Sequence, residues 1–280
     1  MKHKQIKTLF FLMLFSFGFY LNMVSQSTAS KQISTFNMEA PQLQTHKKIW
    51  VYLPKSYQES KKKYTVIYMH DAQNLFDSET SYAGEWKVDE YLDSISNNET
   101  IVIGIEHGGE KRMDELTPYS NEKYGGGNGD AYLEFLVKTL KPYVDKNYRT
   151  LSDKENTIIS GSSLGGLISF YALVKYPDTF GKAGVFSPAF WINDKEMFQL
   201  VEESQLDPDK KFFFLMGSEE GSTKEDASQM VSDQHAMAQL LIKKGVKKEN
   251  VMDKVIPGGK HNENLWSTHF PEVYQWLIKN

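Results

Sequence analysis

The chain has 280 residues and a formal charge of −4, with 40% hydrophobic and 24% charged residues, which suits one large soluble domain with a full core. So small a charge, with no basic cluster interleaved with aromatics, excludes a nucleic-acid-binding surface. With no cysteine, a disulfide framework, a lipoprotein anchor, a thiol nucleophile and a thiolate metal site are all excluded.

Residues 1–26 read as a signal peptide: basic "MKHKQIK", the apolar run "TLFFLMLFSFGFYL", then small polar "VSQSTAS". The expectation is a secreted or periplasmic protein with no membrane partner once the leader is removed. Removing it takes away Lys2, Lys4 and Lys7 and leaves the remainder modestly acidic.

"KKIWVYLP" (47–54) predicts a strand ending at Pro54, and "YTVIYMH" (64–70) a buried one. Residues 86–95 predict a helix, with Val88, Leu92 and Ile95 at helical spacing, and "TIVIGI" (100–105) another buried strand. Residues 130–148 predict an amphipathic helix with a kink near 141, before Pro142. "TIIS" is a strand and "LGGLISFYALVKY" a helix; "KAGVFS" (182–187) and "KFFFLMG" (211–217) are further strands. Residues 228–245 predict a helix stopped by Gly245. "NVMDKVIPGG" is a last strand, and "FPEVYQWLIKN" a final helix opening at Pro271.

Apolar strands alternating with helices imply a mainly parallel central sheet with helices on both faces, as one domain over 47–280. Two loops, 106–130 and 187–199, leave C-terminal strand ends, where ligand crevices form in such sheets. The second presents Phe190 and Trp191 as candidate substrate contacts.

"GSSLG" places Ser163 in a G-x-S-x-G turn between strand and helix, the context of a nucleophile elbow. There the following helix points its unpaired N–H groups at a developing oxyanion, while Ser162 should turn away. A serine hydroxyl needs a base. In the chain order nucleophile, acid, histidine, the candidates are His235, His261 and His269. His261, on a loop past a strand end, is the best placed. His235 lies within a helix, and His269 suits a helix-end role. Glu219, Glu220 and Asp226 compete as the acid, with Glu220 favoured between Gly217 and Gly221. The backbone N–H groups of Leu164 and Gln73 are the candidate oxyanion donors. His70 precedes the nucleophile and reads as a loop-organising residue. There is no HExxH and no compact His/Asp cluster, so no metal or cofactor is expected.

"HDAQNLFD", "GSSLGG", "GSEEG" and "GGKHNENLWSTHFPEVYQWL" together resemble the esterase family of α/β-hydrolases. That family holds feruloyl and acetylxylan esterases, enterochelin-type siderophore esterases, S-formylglutathione hydrolases and mycolyltransferases. The resemblance implies an α/β-hydrolase fold over 47–280. It also implies Ser163 as nucleophile, His261 as base, Glu220 as acid, and Gln73 and Leu164 as oxyanion donors. Ala72 departs from the glycine common in relatives and allows that loop fewer conformations. The expected activity is a serine ester hydrolase on a small-molecule or carbohydrate ester, such as acetyl or feruloyl groups on plant polysaccharide. A siderophore or other depsipeptide esterase, using Lys111 and Arg112, is the alternative. A catalytically silent exported binding protein is the alternative of another class.

Overall fold

The computed structural model describes residues 27–279; the expected leader, 1–26, lies outside the described residues. Strands β1 (Ile33–Ala40), β2 (Thr45–Tyr52), β3 (Thr65–His70), β4 (Thr100–Ile105), β5 (Thr157–Ser162), β6 (Lys182–Phe186), β7 (Lys211–Gly217) and β8 (Val251–Ile256) form one sheet in the order β1-β2-β4-β3-β5-β6-β7-β8. The β1–β2 and β2–β4 pairs are antiparallel, and every later pair is parallel.

Both faces are covered. Val66 and Tyr68 of β3 point into one core with Leu133, Phe170, Met197 and Met237. Their neighbours Ile67 and Met69 point into the other, with Leu92, Trp266 and Phe270. This alternation across a pleated strand is why the parallel strands read as unbroken apolar runs. The first core packs helices α2 (Arg112–Leu116), α3 (Gly129–Phe135), α4 (Lys141–Asn147), α5 (Leu164–Lys175), α6 (Asp194–Glu203) and α7 (Lys224–Lys243); the second packs α1 (Val88–Ser94) and α8 (Glu263–Ile278). No helix among the described residues is long and apolar enough to cross a membrane.

Three expectations are corrected in detail, and a fourth gains its physical form. The sheet begins at Ile33, ahead of residue 47, because β1 is an edge strand with mostly partly exposed side chains and no apolar run to mark it. The final helix opens at Glu263, capped by the Asn262 side chain on the Leu265 N–H at 3.0 Å, and Pro271 lies inside it. Helix α7 starts at Lys224, a full turn before residue 228. The kink expected near 141 is a π-helical turn, Leu136–Leu140, joining α3 to α4 just ahead of Pro142.

Candidate active site

Strand β5 runs straight into α5 with Ser163 as the only residue between them. Ser163 takes φ 58° and ψ −118°, a conformation that L-residues avoid, so the turn itself stores strain. The crossing is tight: a Cβ on Gly161 would come within 2.9 Å of the Gly165 backbone. Apolar packing of α5, whose residues Leu164–Val174 are all buried, holds the strained turn in place. Leu164 is the first helical residue, so its N–H has no intrahelical partner.

Two cavities meet at the serine. One of about 380 Å³ is lined by Gln73, Arg112, Ser162, Ser163, His261 and Trp266, among others. The other, about 600 Å³, is lined by Tyr124, Ser163, Trp191, Glu220, Asp233 and His261, among others. Ser162, expected to turn away, contributes to the first cavity although it is 7% exposed. The Ser163 hydroxyl holds no hydrogen bond to a described residue. Serine–imidazole bonds are often long in unliganded sites and tighten with substrate.

His261 is set by the loop after β8 and by Asn262, the N-cap of α8 beside it. Its Nδ1 lies 2.9 Å from Glu220 Oε2, whose side chain is 0% exposed. The loops after β7 and β8 cross at a glycine pair, where a Cβ on Gly217 would come within 2.1 Å of the Gly259 carbonyl. That contact brings carboxylate and imidazole together. Glu220 Oε1 accepts the Gly217 N–H at 2.6 Å and the Ser187 hydroxyl at 2.6 Å. Trp266 lies edge-on to the His261 ring at 5.0 Å.

The competing residues have other partners. Glu219 is exposed. Asp226 caps α7, accepting the Thr223 N–H at 3.2 Å. His235 Nδ1 sits 2.5 Å from Asp253, and His269 Nδ1 3.7 Å from Glu272.

Gln73 lies in a short turn, Ala72–Asn74, whose first hydrogen bond runs from the Asn74 N–H to the Asp71 carbonyl. The Gln73 N–H is outside that bond. The left-handed residue is Asp71, φ 57°, and not Ala72. Alanine fits at 72 because Gly104 on β4 lies beneath it; a Cβ there would come within 2.8 Å of the Ala72 Cβ. Arg112 clamps Asp71 through two hydrogen bonds of 2.6 and 2.8 Å. Burial works against the Arg112 charge, but Asp71 outweighs it and holds the guanidinium above its ordinary pKa. His70, expected to organise this loop, ties β3 to α3 instead: its Nδ1 meets the Tyr132 hydroxyl at 2.7 Å, and burial pushes its pKa down to about 4.

Two expected contacts are corrected. Phe190 is 3% exposed and packs on Phe170 in the core, at 5.2 Å between centroids. Its place beside Trp191 is taken by Tyr124, edge-to-face at 5.1 Å; the two rings are 46% and 41% exposed. Tyr124 lies in an irregular glycine-rich loop, where no periodicity marks it. Lys111 lines a separate cavity with Lys47, Glu106 and Glu115.

A largely parallel sheet, a serine at a strand–helix elbow and a histidine–carboxylate pair on later loops define an α/β-hydrolase. The chain belongs to the esterase family: the family model described as "Putative esterase" matches residues 40–277, and the protein is an ester hydrolase. It is 28% identical over 244 residues to the uncharacterized protein YbbA of Bacillus subtilis (strain 168), covering 83% of this chain and 92% of that one. An endo-1,4-beta-xylanase/feruloyl esterase of Xylanibacter ruminicola is 26% identical over 145 residues, 49% of this chain and 19% of that protein. Among solved structures, the siderophore hydrolase EstA from Aspergillus nidulans superposes with a TM-score of 0.65 at 17% identity, covering 89% of this chain and 95% of that one.

Proposed function

We propose that the protein is an exported serine esterase that works through an acyl-enzyme on acyl esters of carbohydrate. One observation carries the mechanism: Ser163, at a strained elbow, faces the same two cavities as a histidine whose Nδ1 is bonded to a buried carboxylate. Ser163 Oγ attacks the ester carbonyl while His261 Nε2 takes its proton. Glu220 holds the tautomer with hydrogen on Nδ1 and stabilises the imidazolium. The N–H groups of Leu164 and Gln73 receive the oxyanion. His261 returns the proton to the leaving alcohol, and water repeats the cycle on the acyl-enzyme.

The larger cavity favours a sugar-bearing substrate. Tyr124 and Trp191 lie exposed at its edge, and Gln229 and Asp233, joined by a 2.7 Å bond from Gln229 Nε2, keep further polar atoms for sugar hydroxyls. A metal-loaded, anionic siderophore would meet Asp226 and Asp233 against a single lining cation among the described residues, Lys123, and Arg112 is already bonded to Asp71. The name of the Xylanibacter relative agrees with a carbohydrate ester, and that of EstA with the alternative.

The test is a substrate panel of p-nitrophenyl acetate, acetylated xylan, methyl ferulate and a catecholate trilactone. We expect turnover of p-nitrophenyl acetate and of a carbohydrate-linked ester, and a loss of about 10³-fold or more with Ser163→Ala. Activity surviving Ser163→Ala would remove the serine from its role. Preference for the trilactone would move the substrate class, and inertness on all four would point to a binding protein.

A further inference from the structure

We propose that Ser187 is a positioning residue: its buried hydroxyl, oriented by Trp266, pins the carboxylate that in turn orients His261. The inference rests on the reading of Ser163, His261 and Glu220 as a triad. Ser187 follows β6 directly and takes φ 44°, a left-handed conformation that glycine adopts at far lower cost. A serine at 0% exposure in that conformation is strained, and the partners of its hydroxyl are what the strained backbone aims it at.

Ser187 Oγ lies 2.6 Å from Glu220 Oε1 and 2.8 Å from Trp266 Nε1. An indole N–H only donates, so it occupies a lone pair of the hydroxyl. The single hydroxyl proton is thereby directed at the carboxylate. With the Gly217 N–H, also 2.6 Å away, Oε1 receives two donors and Oε2 is left facing His261 Nδ1. Held by two donors on one oxygen, the carboxylate cannot rotate away from the imidazole without breaking both bonds. The Ser187 N–H bonds the Leu215 carbonyl of β7 at 2.7 Å, which fixes the whole arrangement to the sheet. Trp266 serves twice, since its ring also packs against His261.

A purely structural role for Ser187, satisfying the Trp266 N–H, predicts lower Tm and little else. The positioning role predicts more. Ser187→Ala on p-nitrophenyl acetate should lose kcat by about tenfold or more, with KM within about twofold, in protein that is folded at the assay temperature. The acid limb of the kcat/KM profile should move to higher pH, because a carboxylate with one donor fewer holds the imidazolium more strongly. Ser187→Thr, which keeps the hydroxyl but adds strain at φ above zero, should melt lower than Ser187→Ala and yet retain more kcat. Trp266→Phe, which removes the orienting N–H together with part of the ring packed on His261 and Trp86, should lose kcat and shift the same limb, with the Ser187 hydroxyl still in place. Unchanged kcat and an unmoved pH profile in folded Ser187→Ala and Trp266→Phe would overturn the proposal. An inactive wild-type enzyme would overturn the triad reading itself, and this inference with it.

Discussion

Glu220 is distinguished from its neighbours by its surroundings rather than its chemistry. Glu219 and Asp226 are equally capable carboxylates, but one is exposed and the other spends its oxygen on a helix cap. Only Glu220 has a fully buried side chain bonded to an imidazole. Removing its charge while keeping its shape leaves His261 without a stabilised imidazolium. Glu220→Gln should therefore lower kcat by about 10²-fold or more, and Glu219→Gln should leave it within about twofold. A larger loss at Glu219 would reassign the acid. The reasons these residues were differently legible are local. Ser163 is announced by flanking glycines that a tight crossing requires, and His261 by its place past a strand end. Glu220 needed a partner 41 residues away to be separated from Glu219. Ser187 was invisible to sequence patterns, because its meaning lies in one dihedral angle and two partners, 33 and 79 residues distant. An aromatic just after a strand, such as Phe190, can face either cleft or core, and packing against Phe170 and Phe214 places it in the core.

The elements follow the same division. Parallel strands buried on both faces are unbroken apolar runs, so β3 to β7 were legible as written. Strand β1 shows one buried position, Ala40, and lacks that signal. The first turn of α7 carries no apolar period in "STKEDA"; it is held by capping instead. Thr223 Oγ1 accepts the Asp226 N–H at 3.1 Å, and Asp226 accepts the Thr223 N–H in return. Thr223→Ala should cost about 1 kcal/mol in denaturant unfolding. It should leave kcat within about twofold, because Glu220 is pinned by Gly217 and Ser187 and not by the cap. A large kcat loss would mean that the α7 start shapes the cleft directly.

Across the whole molecule, buried ionisable groups decide how stability changes with pH, and two of them act in opposite directions. Burial pushes His70 down to about 4, so between that value and its ordinary 6.5 the unfolded chain binds the extra proton. Stability therefore rises with pH across that window and is lost as pH falls through it. Asp89 is pushed up to about 8, chiefly by burial and also by Glu90 beside it, against a hydrogen bond from the Ser30 N–H that works the other way. The fold keeps a proton that the unfolded chain has released, so stability falls as pH rises from about 4 to about 8. Below 6.5 the two slopes offset one another; from 6.5 to 8 the Asp89 slope is no longer opposed by His70. One proton over that interval corresponds to about 2 kcal/mol at most. Lys182 and Lys210, pushed down to about 8 mainly by burial, add a rising slope only above it. The urea midpoint of the wild type should thus drop between pH 6.5 and 8. Asp89→Asn keeps an oxygen for the Ser30 N–H, 2.7 Å from Asp89 Oδ2, and has no proton to lose. Its midpoint should stay level over the same interval and exceed that of the wild type at pH 8. Parallel declines in the two proteins would show that Asp89 is already charged inside the fold, and that another group sets the slope.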